Sequence, residues 1–307
     1  MSGLRSGQVL VLLAVWNGSR WLAEQIDSIL RQQDVEVSIL CRDDGSTDDS
    51  PAILQHYHRQ FPGQVRLLED DLGNLGACGS FSQLMKHALE VDLKREPGLA
   101  VALADQDDIW HPERLSVTLT ALDEAAGPGG PVLVHTDLRV VNEALEPVAP
   151  SLARYQGLRP WQGGLPAQLL GNSATGCTVL MNLELLQLAL PVPVEAVMHD
   201  WWLSLVASLY GQRVYVDRPL VDYRQHGENA VGAKALQPRR WTGIRQWVFD
   251  RSSQPVFEQI AVQAEVFRQR HGDCLTRRQR LAVQWVLWLP RLPAPLQKVL
   301  FRLLRLL

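Results

Sequence analysis

The chain has 307 residues, of which 46% are hydrophobic and 21% charged, a composition typical of a globular protein with a sizeable core. The net charge of −3 gives no reason to expect a nucleic-acid partner. Four widely spaced cysteines form no CxxC pair, and no apolar run approaches 18 residues. We therefore expect free thiols in a reducing, cytoplasmic compartment and no transmembrane helix.

Apolar strands alternate with amphipathic helices over the first 125 residues. The run 9–15 is almost entirely apolar, as expected of a strand buried on both faces, and it lacks the cleavage site of a signal peptide. This alternation predicts a doubly wound, mostly parallel α/β sheet, Rossmann-like and flanked by helices. The predicted strands are 9–15, 35–40, 65–68 and 99–103, and the predicted helices are 21–33, 48–60, 77–91 and 111–125.

The second half of the chain is less regular. Pro and Gly are frequent in 143–165, which we expect to form an irregular loop over a ligand site. A buried helix begins at His199, and from Trp241 the pattern is helical. We divide the chain into a main domain, 1–238, and a helical extension, 239–307. The further predicted strands are 132–141, 178–181, 214–216 and 220–223.

Polar side chains collect where the predicted parallel strands end, which is where ligands bind in such sheets. The stretch ADQDDIW places Asp105, Asp107 and Asp108 together after a buried strand. Carboxylates this close repel each other, so a divalent cation that holds a phosphate is a natural occupant. The alternative is an exposed acidic turn before the helix that starts near Pro112.

Three other motifs carry candidate side chains, each with a structural alternative. A carboxylate of RDDGSTDDS (42–50) can accept the imide N–H of a pyrimidine base, or form an Asx turn and helix cap. Asp200 in HDWW can act chemically or cap its helix. His226 can reach a metal or be a hydrogen-bonded loop histidine. The glycine-rich loop 72–80 is only weak evidence for a dinucleotide site.

Taken together, these motifs resemble family 2 glycosyltransferases of the GT-A fold, and in particular their bacterial rhamnosyltransferase-like branch. The resemblance rests on the stretches WNG, DDGSTDDS, ADQDDIW, TGCT, HDWW and YRQHG in matching order, and it covers roughly residues 8–235. One departure is Ala104, where a serine is frequent. A second is the loop 76–80, where such enzymes often carry a polar residue near Gly79.

The resemblance implies a role for each motif residue. Asp107 and His226 would bind Mg²⁺ or Mn²⁺, and Asp200 would be the general base on the acceptor hydroxyl. The implied nucleotide-binding residues are Ala14, Trp16, Asn17, Glu24, Asp43, Asp44, Asp105 and Gln106. The implied acceptor- and sugar-binding residues are Asn172, Gly176, Cys177, Thr178, His199, Trp201 and Gln225.

The implied activity is inverting, metal-dependent transfer of a sugar, plausibly L-rhamnose, from a dTDP- or UDP-sugar to a glycan or lipid-linked acceptor. Such a step belongs to bacterial cell-surface polysaccharide synthesis, including that of lipopolysaccharide. Two alternatives stay open from the residues: a nucleotidyltransferase, although 9–19 holds no glycine-rich basic phosphate loop, and a non-catalytic nucleotide-sugar-binding scaffold.

Charge is uneven near the carboxyl end. No acidic residue follows Asp273, and 298–307 mixes three basic residues with apolar ones. This pattern favours an interfacial helix on an anionic membrane surface, with the chain peripheral to the inner face of the plasma membrane. The alternative is a helix that packs on the main domain or on a second subunit.

Overall fold

In the computed structural model, one mixed sheet organises the chain. The structure describes residues 7–96, 98–127, 129–161, 164–227 and 254–304, and within these ranges nine strands form a single sheet. The strands are β1 (Gln8–Val15), β2 (Glu36–Asp43), β3 (Val65–Leu67), β4 (Ala100–Ala104), β5 (Ile109–Trp110), β6 (Val132–Val141), β7 (Pro147–Ala149), β8 (Leu180–Met181) and β9 (Gln212–Arg224).

Helices cover both faces of this sheet. A π-helical turn, Ala88–Asp92, continues the third helix, so the helix predicted over 77–91 begins and ends close to its expected bounds. The α-helices are α1 (Leu22–Leu30), α2 (Ser50–Gln60), α3 (Gly76–His87), α4 (Leu93–Arg95), α5 (Arg114–Ala126), α6 (Leu152–Gln156), α7 (Leu165–Gln168), α8 (Leu183–Ala189), α9 (His199–Tyr210), α10 (Gln254–His271), α11 (Arg277–Trp288) and α12 (Ala294–Leu304).

The parallel half of the sheet is as predicted. β1 lies between β2 and β4, β3 is the outer strand, and all these pairings are parallel, in the order β3-β2-β1-β4. β1 and β4 are apolar at almost every position because both of their faces are covered by helices. Their carboxyl ends therefore lie along one edge of the sheet.

The other half differs from the sequence prediction. β8 runs antiparallel to both β4 and β6, whereas β6 and β9 are parallel. The strands predicted at 214–216 and 220–223 are parts of the single strand β9, which register shifts opposite β6 allow to continue. The 143–165 segment is less irregular than predicted, since it contains β7 and α6.

The C-terminal helices share the core of the main domain. The indole ring of Trp202 in α9 meets the Phe267 ring of α10 edge-on, with centroids 5.7 Å apart. Tyr210 Oη lies 2.9 Å from His271 Nδ1, and Val197 N donates to Gln263 Oε1 over 2.9 Å. The predicted boundary at 238/239 and the start of the helical pattern at Trp241 lie outside the described residues. None of the described helices is both long and apolar enough to cross a bilayer.

We expect Phe267→Ala to lower the free energy of unfolding of the whole chain by about 3–5 kcal/mol, because it empties a fully buried site between α9 and α10. Denaturant unfolding followed by tryptophan fluorescence measures this loss. Val262→Ala on the exposed side of the same helix is the control, with a change of about 0.5 kcal/mol or less. A separate early transition of the C-terminal helices would contradict the shared core.

Candidate active site

Three carboxyl groups crowd the carboxyl end of β4. Burial, together with repulsion from Asp107 and Asp200, raises the pKa of Asp105 to about 7. The pKa of Asp107 is also raised by burial, although His226 and Arg224 oppose this, and the pKa of Asp108 lies well above its ordinary value. Each group therefore tends to keep its proton unless a nearby cation compensates the charge of its ionised form. This cluster is a buried site and not an exposed acidic turn.

The structure brings Asp107 and His226 together. His226 Nε2 lies 2.8 Å from Asp107 Oδ2, although 119 positions separate the two residues in sequence. The imidazole stacks on the buried indole of Trp21, with ring centroids 3.9 Å apart and an interplanar angle of 25°. Sequence reasoning missed Trp21, which follows the Trp16-Asn-Gly motif by one turn. A fixed imidazole beside a carboxylate offers the nitrogen and oxygen ligands of a divalent ion.

Arg224, which sequence reasoning also missed, connects the acidic segment after β4 to α1 and to the loop that follows β6. Its Nε donates to Asp107 O over 3.0 Å, and its backbone N–H donates to Asp108 Oδ1 over 3.3 Å. One terminal nitrogen donates to Glu143 O over 2.8 Å, and the other lies 2.5 Å from Glu24 Oε2. Glu24, predicted to bind nucleotide, is thus paired with this buried guanidinium. The sequence signal that could have indicated a role for Arg224 was its position two residues before His226.

A second group of potential metal-ligand atoms involves the buried thiol of Cys177. One oxygen each of Asp105 and Asp108 and the Sγ of Cys177 all lie within 4.8 Å of one another. Burial and both carboxyl groups raise the pKa of the Cys177 thiol well above its ordinary value, so it stays protonated and hydrogen-bonds to Asp108. A neutral thiol is a poor ligand for Mg²⁺ or Mn²⁺. Asp107 and His226 offer an oxygen and an imidazole nitrogen that are better suited to such an ion, and these two atoms lie 2.8 Å apart.

Two loops at the ends of β1 and β2 are bonded to each other. Asn17 N donates to Ser46 Oγ over 2.8 Å, Gly18 N to Ser50 Oγ over 2.9 Å, and Thr47 N to Asn17 Oδ1 over 2.8 Å. Asn17 has a φ of +50°, a conformation that asparagine tolerates better than most residues. The serines and the asparagine of these two motifs therefore fix the loops against each other.

Gln106 serves the same edge of the sheet. Its Oε1 accepts from Trp16 N over 2.7 Å, and its Nε2 donates to Trp16 O over 2.9 Å. A Cβ on Gly18 would lie 2.5 Å from the Gln106 amide, so a larger residue there would displace that side chain. The amide of Gln106, a residue predicted to bind nucleotide, is thus hydrogen-bonded to the main chain of Trp16 through both of its polar atoms. The Trp16 indole itself remains 53% exposed.

A buried arginine organises the end of β2. Arg42, which lies beside Ala14 in register, forms a salt bridge with Asp44 and bonds to both carboxylate oxygens of Asp70 over 2.8 and 3.0 Å. Asp44 also accepts from Leu75 N over 2.9 Å. Sequence reasoning missed the role of Arg42. The Asp44 carboxylate, predicted to hold the base, is thus fixed by a cation on β2.

The carboxylate of Asp43, unlike that of Asp44, bonds to the backbone of its own loop. Its Oδ2 accepts from Gly45 N over 3.2 Å and from Ser46 N over 3.0 Å, which is the Asx turn that the sequence left as an alternative. Its Oδ1 is buried and has no hydrogen-bond partner among the described residues. A buried acceptor without a partner is costly, so this oxygen is available to a donor from a ligand.

Asp200 lies in the first turn of α9. Its Oδ1 accepts from Trp201 N over 2.6 Å, and it is also bonded to Gly176 N and to the Asn172 side chain. Burial nevertheless raises its pKa to about 7. The charge of Asp200 also contributes to the raised pKa of Asp105, so the two carboxyl groups lie near enough for their charges to interact. A Cβ on Gly176 would come within 3.5 Å of Asp200 Oδ2, which shows how closely this turn approaches.

Several predicted acceptor-side residues belong to the scaffold. Trp201 is buried and donates its indole N–H to Gln168 O over 2.6 Å, and Thr178 is buried and donates to Thr175 O over 2.8 Å. The His199 ring stacks on a phenylalanine, and burial lowers its pKa to about 3, so it is neutral. Trp201 and Thr178 thus use their donors within the protein, whereas both ring nitrogens of His199 have no hydrogen-bond partner among the described residues.

Gln225, also predicted on the acceptor side, serves the scaffold through its main chain. Its backbone N–H donates to Val141 O over 2.8 Å. Because Val141 is paired with Arg224 in register, this bond continues the β6–β9 pairing by one residue. The segment that leads into His226 is therefore held against the sheet.

Comparison with known proteins agrees with this geometry. Residues 10–160 match the family model described as Glycosyl transferase family 2. The chain is also 29% identical, over 230 residues, to the dTDP-rhamnosyl transferase RfbG of Shigella flexneri, and the match spans 72% of this chain and 74% of that protein. The chain belongs to glycosyltransferase family 2. Its enzymatic class is therefore that of a glycosyltransferase, and not the nucleotidyltransferase or scaffold that the residues alone left open.

A further relative supports the family, and solved structures support the fold. The putative glycosyltransferase EpsE of Bacillus subtilis is 28% identical over 117 residues, 38% of this chain and 39% of that protein. The crystal structure of S. aureus TarS 1-349 has a TM-score of 0.58 at 15% identity, over 91% of this chain and 69% of that one. GalNAc-T7 with UDP, GalNAc and Mn²⁺ has a TM-score of 0.55 at 10% identity, over 90% and 56%. These likenesses confirm the predicted GT-A fold.

We expect Arg224→Lys to weaken the binding of nucleoside diphosphate in the presence of Mn²⁺ by about 10–100-fold, as changes behind a ligand set commonly do. Lysine keeps the charge but cannot reach Glu24, Asp107 O and Glu143 O together. Titration calorimetry measures the affinity. Arg218→Lys is the matched control on the same strand, because Arg218 is exposed and pairs with Glu113. Equal affinities for both variants would contradict the positioning role of Arg224.

Proposed function

We propose that this glycosyltransferase moves L-rhamnose from dTDP-L-rhamnose to a glycan or lipid-linked acceptor, with inversion at the anomeric carbon, in bacterial cell-surface polysaccharide synthesis. The observation that carries the proposal is the nearness of two acidic centres whose charges interact, Asp105–Asp107 at the end of β4 and Asp200 at the start of α9. The choice of rhamnose is supported by the similarity to a protein named as a dTDP-rhamnosyl transferase.

The edge of the sheet where β1, β2 and β4 end suits the nucleotide. Trp16 offers an exposed indole, Asp43 offers a buried acceptor without a protein donor among the described residues, and both lie on loops that are bonded to each other. An acceptor of this kind matches the imide N–H of thymine or uracil, and an indole face stacks on a base. We therefore place the base between these loops and the diphosphate nearer Asp105.

The side chains at the end of β4 fit a divalent ion. Asp105 and Asp107 are desolvated carboxyl groups with raised pKa values, and His226 is held beside Asp107 by stacking on Trp21. Oxygen and imidazole ligands of this kind suit Mg²⁺ or Mn²⁺. When bound, such an ion stabilises the negative charge that develops on the departing diphosphate. The protein's own part is to hold these ligands and to exclude water around them.

Asp200 is placed to act on the acceptor. Its carboxylate takes the proton from an acceptor hydroxyl, the hydroxyl oxygen bonds to the anomeric carbon, and the bond from that carbon to the diphosphate oxygen breaks. Nucleoside diphosphate leaves, and attack from the face opposite the leaving group inverts the configuration. A pKa of about 7 suits a base that must release its proton near neutral pH.

The surface beside Asp200 suits a sugar acceptor. Ser173, next to the Asn172 that bonds Asp200, accepts from Arg213 over 2.7 Å. Arg213 lies on β9 with Tyr215, whose ring is 6.0 Å from the exposed indole of Trp161. Aromatic faces and a cation beside the base match the apolar and hydroxyl faces of a glycan. We propose this surface, and not the buried Trp201, as the place where the acceptor stacks.

We expect Asp200→Asn to abolish sugar transfer while leaving nucleotide affinity unchanged, because the amide keeps the shape of the side chain but accepts no proton. Transfer is measured as nucleoside diphosphate released with acceptor present, and affinity by calorimetry. Glu195→Gln, just before α9 and outside the cleft, is the control. Full turnover in the Asp200 variant would remove the base assignment.

The same residue sets a pH dependence. Below a pH of about 7, Asp200 carries a proton in the folded protein, so the transfer rate falls as pH falls through that value. Its raised pKa also means that stability is lost as pH rises from the unfolded-state value to about 7. Asp200→Asn is therefore expected to melt at a higher temperature than the unaltered protein at a pH of about 8, which also shows that the variant is folded.

We expect Mn²⁺ and dTDP-L-rhamnose together to raise the melting temperature more than any other pair in a panel of dTDP-, UDP- and GDP-sugars. Asp107→Ala should lose the part of the shift that depends on Mn²⁺, since it removes a proposed ligand. Asp123→Ala, on the distant helix α5, is the control. A larger shift with a UDP- or GDP-sugar would correct the donor, and pyrophosphate as the product in place of nucleoside diphosphate would contradict glycosyl transfer.

A further inference from the structure

Helix α11 turns an apolar face outward. Leu281, Trp285 and Trp288 recur at intervals of four and three residues, so they lie along one side of the helix. Their side chains are 55%, 47% and 50% exposed. Arg277 and Arg278, both exposed, precede them by one turn on the same side. We call these five residues the aromatic face.

The aromatic face is not the side by which α11 packs on the protein. Ala282, Val283 and Val286 are buried in the core that α11 shares with α9 and α10. The helix also begins with a capping box at Thr276, which fixes its first turn. A well-anchored helix therefore presents two tryptophans and a leucine to the surroundings, a combination that usually marks a contact surface.

The neighbouring helix α12 has the same character. Leu296, Val299 and Leu303 are about half exposed, whereas Gln297 and Leu304 are buried. The spacing of three and four residues places the exposed three along one side. Two successive helices thus each bury one side and expose an apolar second side.

The charge of this region selects among possible partners. After Asp273 the sequence contains seven arginines and lysines and no acidic residue. A two-fold contact between two copies would set the same patch against itself and bring arginines together, which is unfavourable. Tryptophan beside arginine is instead the composition of helices that rest in the headgroup region of a membrane.

We propose that the aromatic face and the exposed side of α12 bind the surface of an anionic lipid bilayer. The tryptophan and leucine side chains enter the interfacial layer, and the arginines meet the lipid phosphates and anionic headgroups. This proposal does not rest on the donor or acceptor given above. It requires no spanning helix, since each apolar side is only two to three turns long.

The full chain tests this with large vesicles of phosphatidylcholine containing about 30 mol% phosphatidylglycerol, and with vesicles of phosphatidylcholine alone. Sedimentation with the vesicles measures the bound fraction. We expect binding to the anionic vesicles at about 0.1 M salt and at least about tenfold weaker binding to neutral vesicles or at about 1 M salt, where surface charges are screened. No binding to anionic vesicles at the lower salt would overturn the proposal.

Two double variants locate the contact. Trp285→Ser with Trp288→Ser is expected to weaken vesicle binding by at least about tenfold, since two large apolar groups no longer enter the interface. Arg277→Gln with Arg278→Gln is expected to weaken it by roughly 30-fold, at about fivefold for each charge. Matched controls are Leu188→Ser with Val148→Ser, and Arg59→Gln with Arg95→Gln, which change exposed residues elsewhere and leave binding as it was.

Other results would overturn the proposal. If either α11 variant bound vesicles like the unaltered chain, the aromatic face would not be the contact. If the tryptophan variant turned a dimer into a monomer in size-exclusion chromatography with light scattering, the face would bind a second copy instead. Melting temperatures establish that each variant is folded, and Leu296→Ser with Val299→Ser on α12 repeats the test on an independent helix.

Discussion

The crowding of three carboxyl groups at the end of β4, with Asp107 and Asp108 buried and Asp105 partly buried, is the constraint on which the site depends. Desolvation and mutual repulsion raise their pKa values, so the cluster is stable only while protons, cations or donors surround it. Arg224 supplies part of this compensation, because its charge opposes the rise in the pKa of Asp107 while its guanidinium bonds Glu24 and two backbone oxygens. The Asp107 carboxylate is in turn hydrogen-bonded to the imidazole of His226.

The reversal of strand direction after β4 brings the second half of the site to the same cleft. Because β8 is antiparallel to β4, the segment that enters β8 arrives where β4 ends. Gly176 and Cys177 lie in that segment, the first bonded to Asp200 and the second beside Asp105. A wholly parallel continuation would have placed this turn at the opposite edge of the sheet. The mixed sheet is thus a condition for bringing this turn, and Asp200 with it, to the carboxyl groups at the end of β4.

How much could be read from the sequence follows from how local each feature is. Strand ends with acidic residues are local patterns, so β1 to β4 and the placement of Asp105, Asp107 and Asp200 could be predicted. The direction of β8 and the continuity of β9 depend on pairing partners far along the chain, which periodicity does not reveal. The partners chosen by Arg42 and Arg224 are also long-range. A buried arginine looks like a surface one in sequence, and the same holds for an amide such as that of Gln106.

The C-terminal helices help to set the position of Asp200. Asp200 lies at the start of α9, while Trp202 and Tyr210 further along the same helix pack against Phe267 and His271 of α10. A helix is stiff over this length, so its packing on α10 fixes the direction in which its first turn points into the cleft. The helices that continue the core also present the aromatic face on their outer side. The core, Asp200 and the outer surface are therefore joined through one set of packed helices.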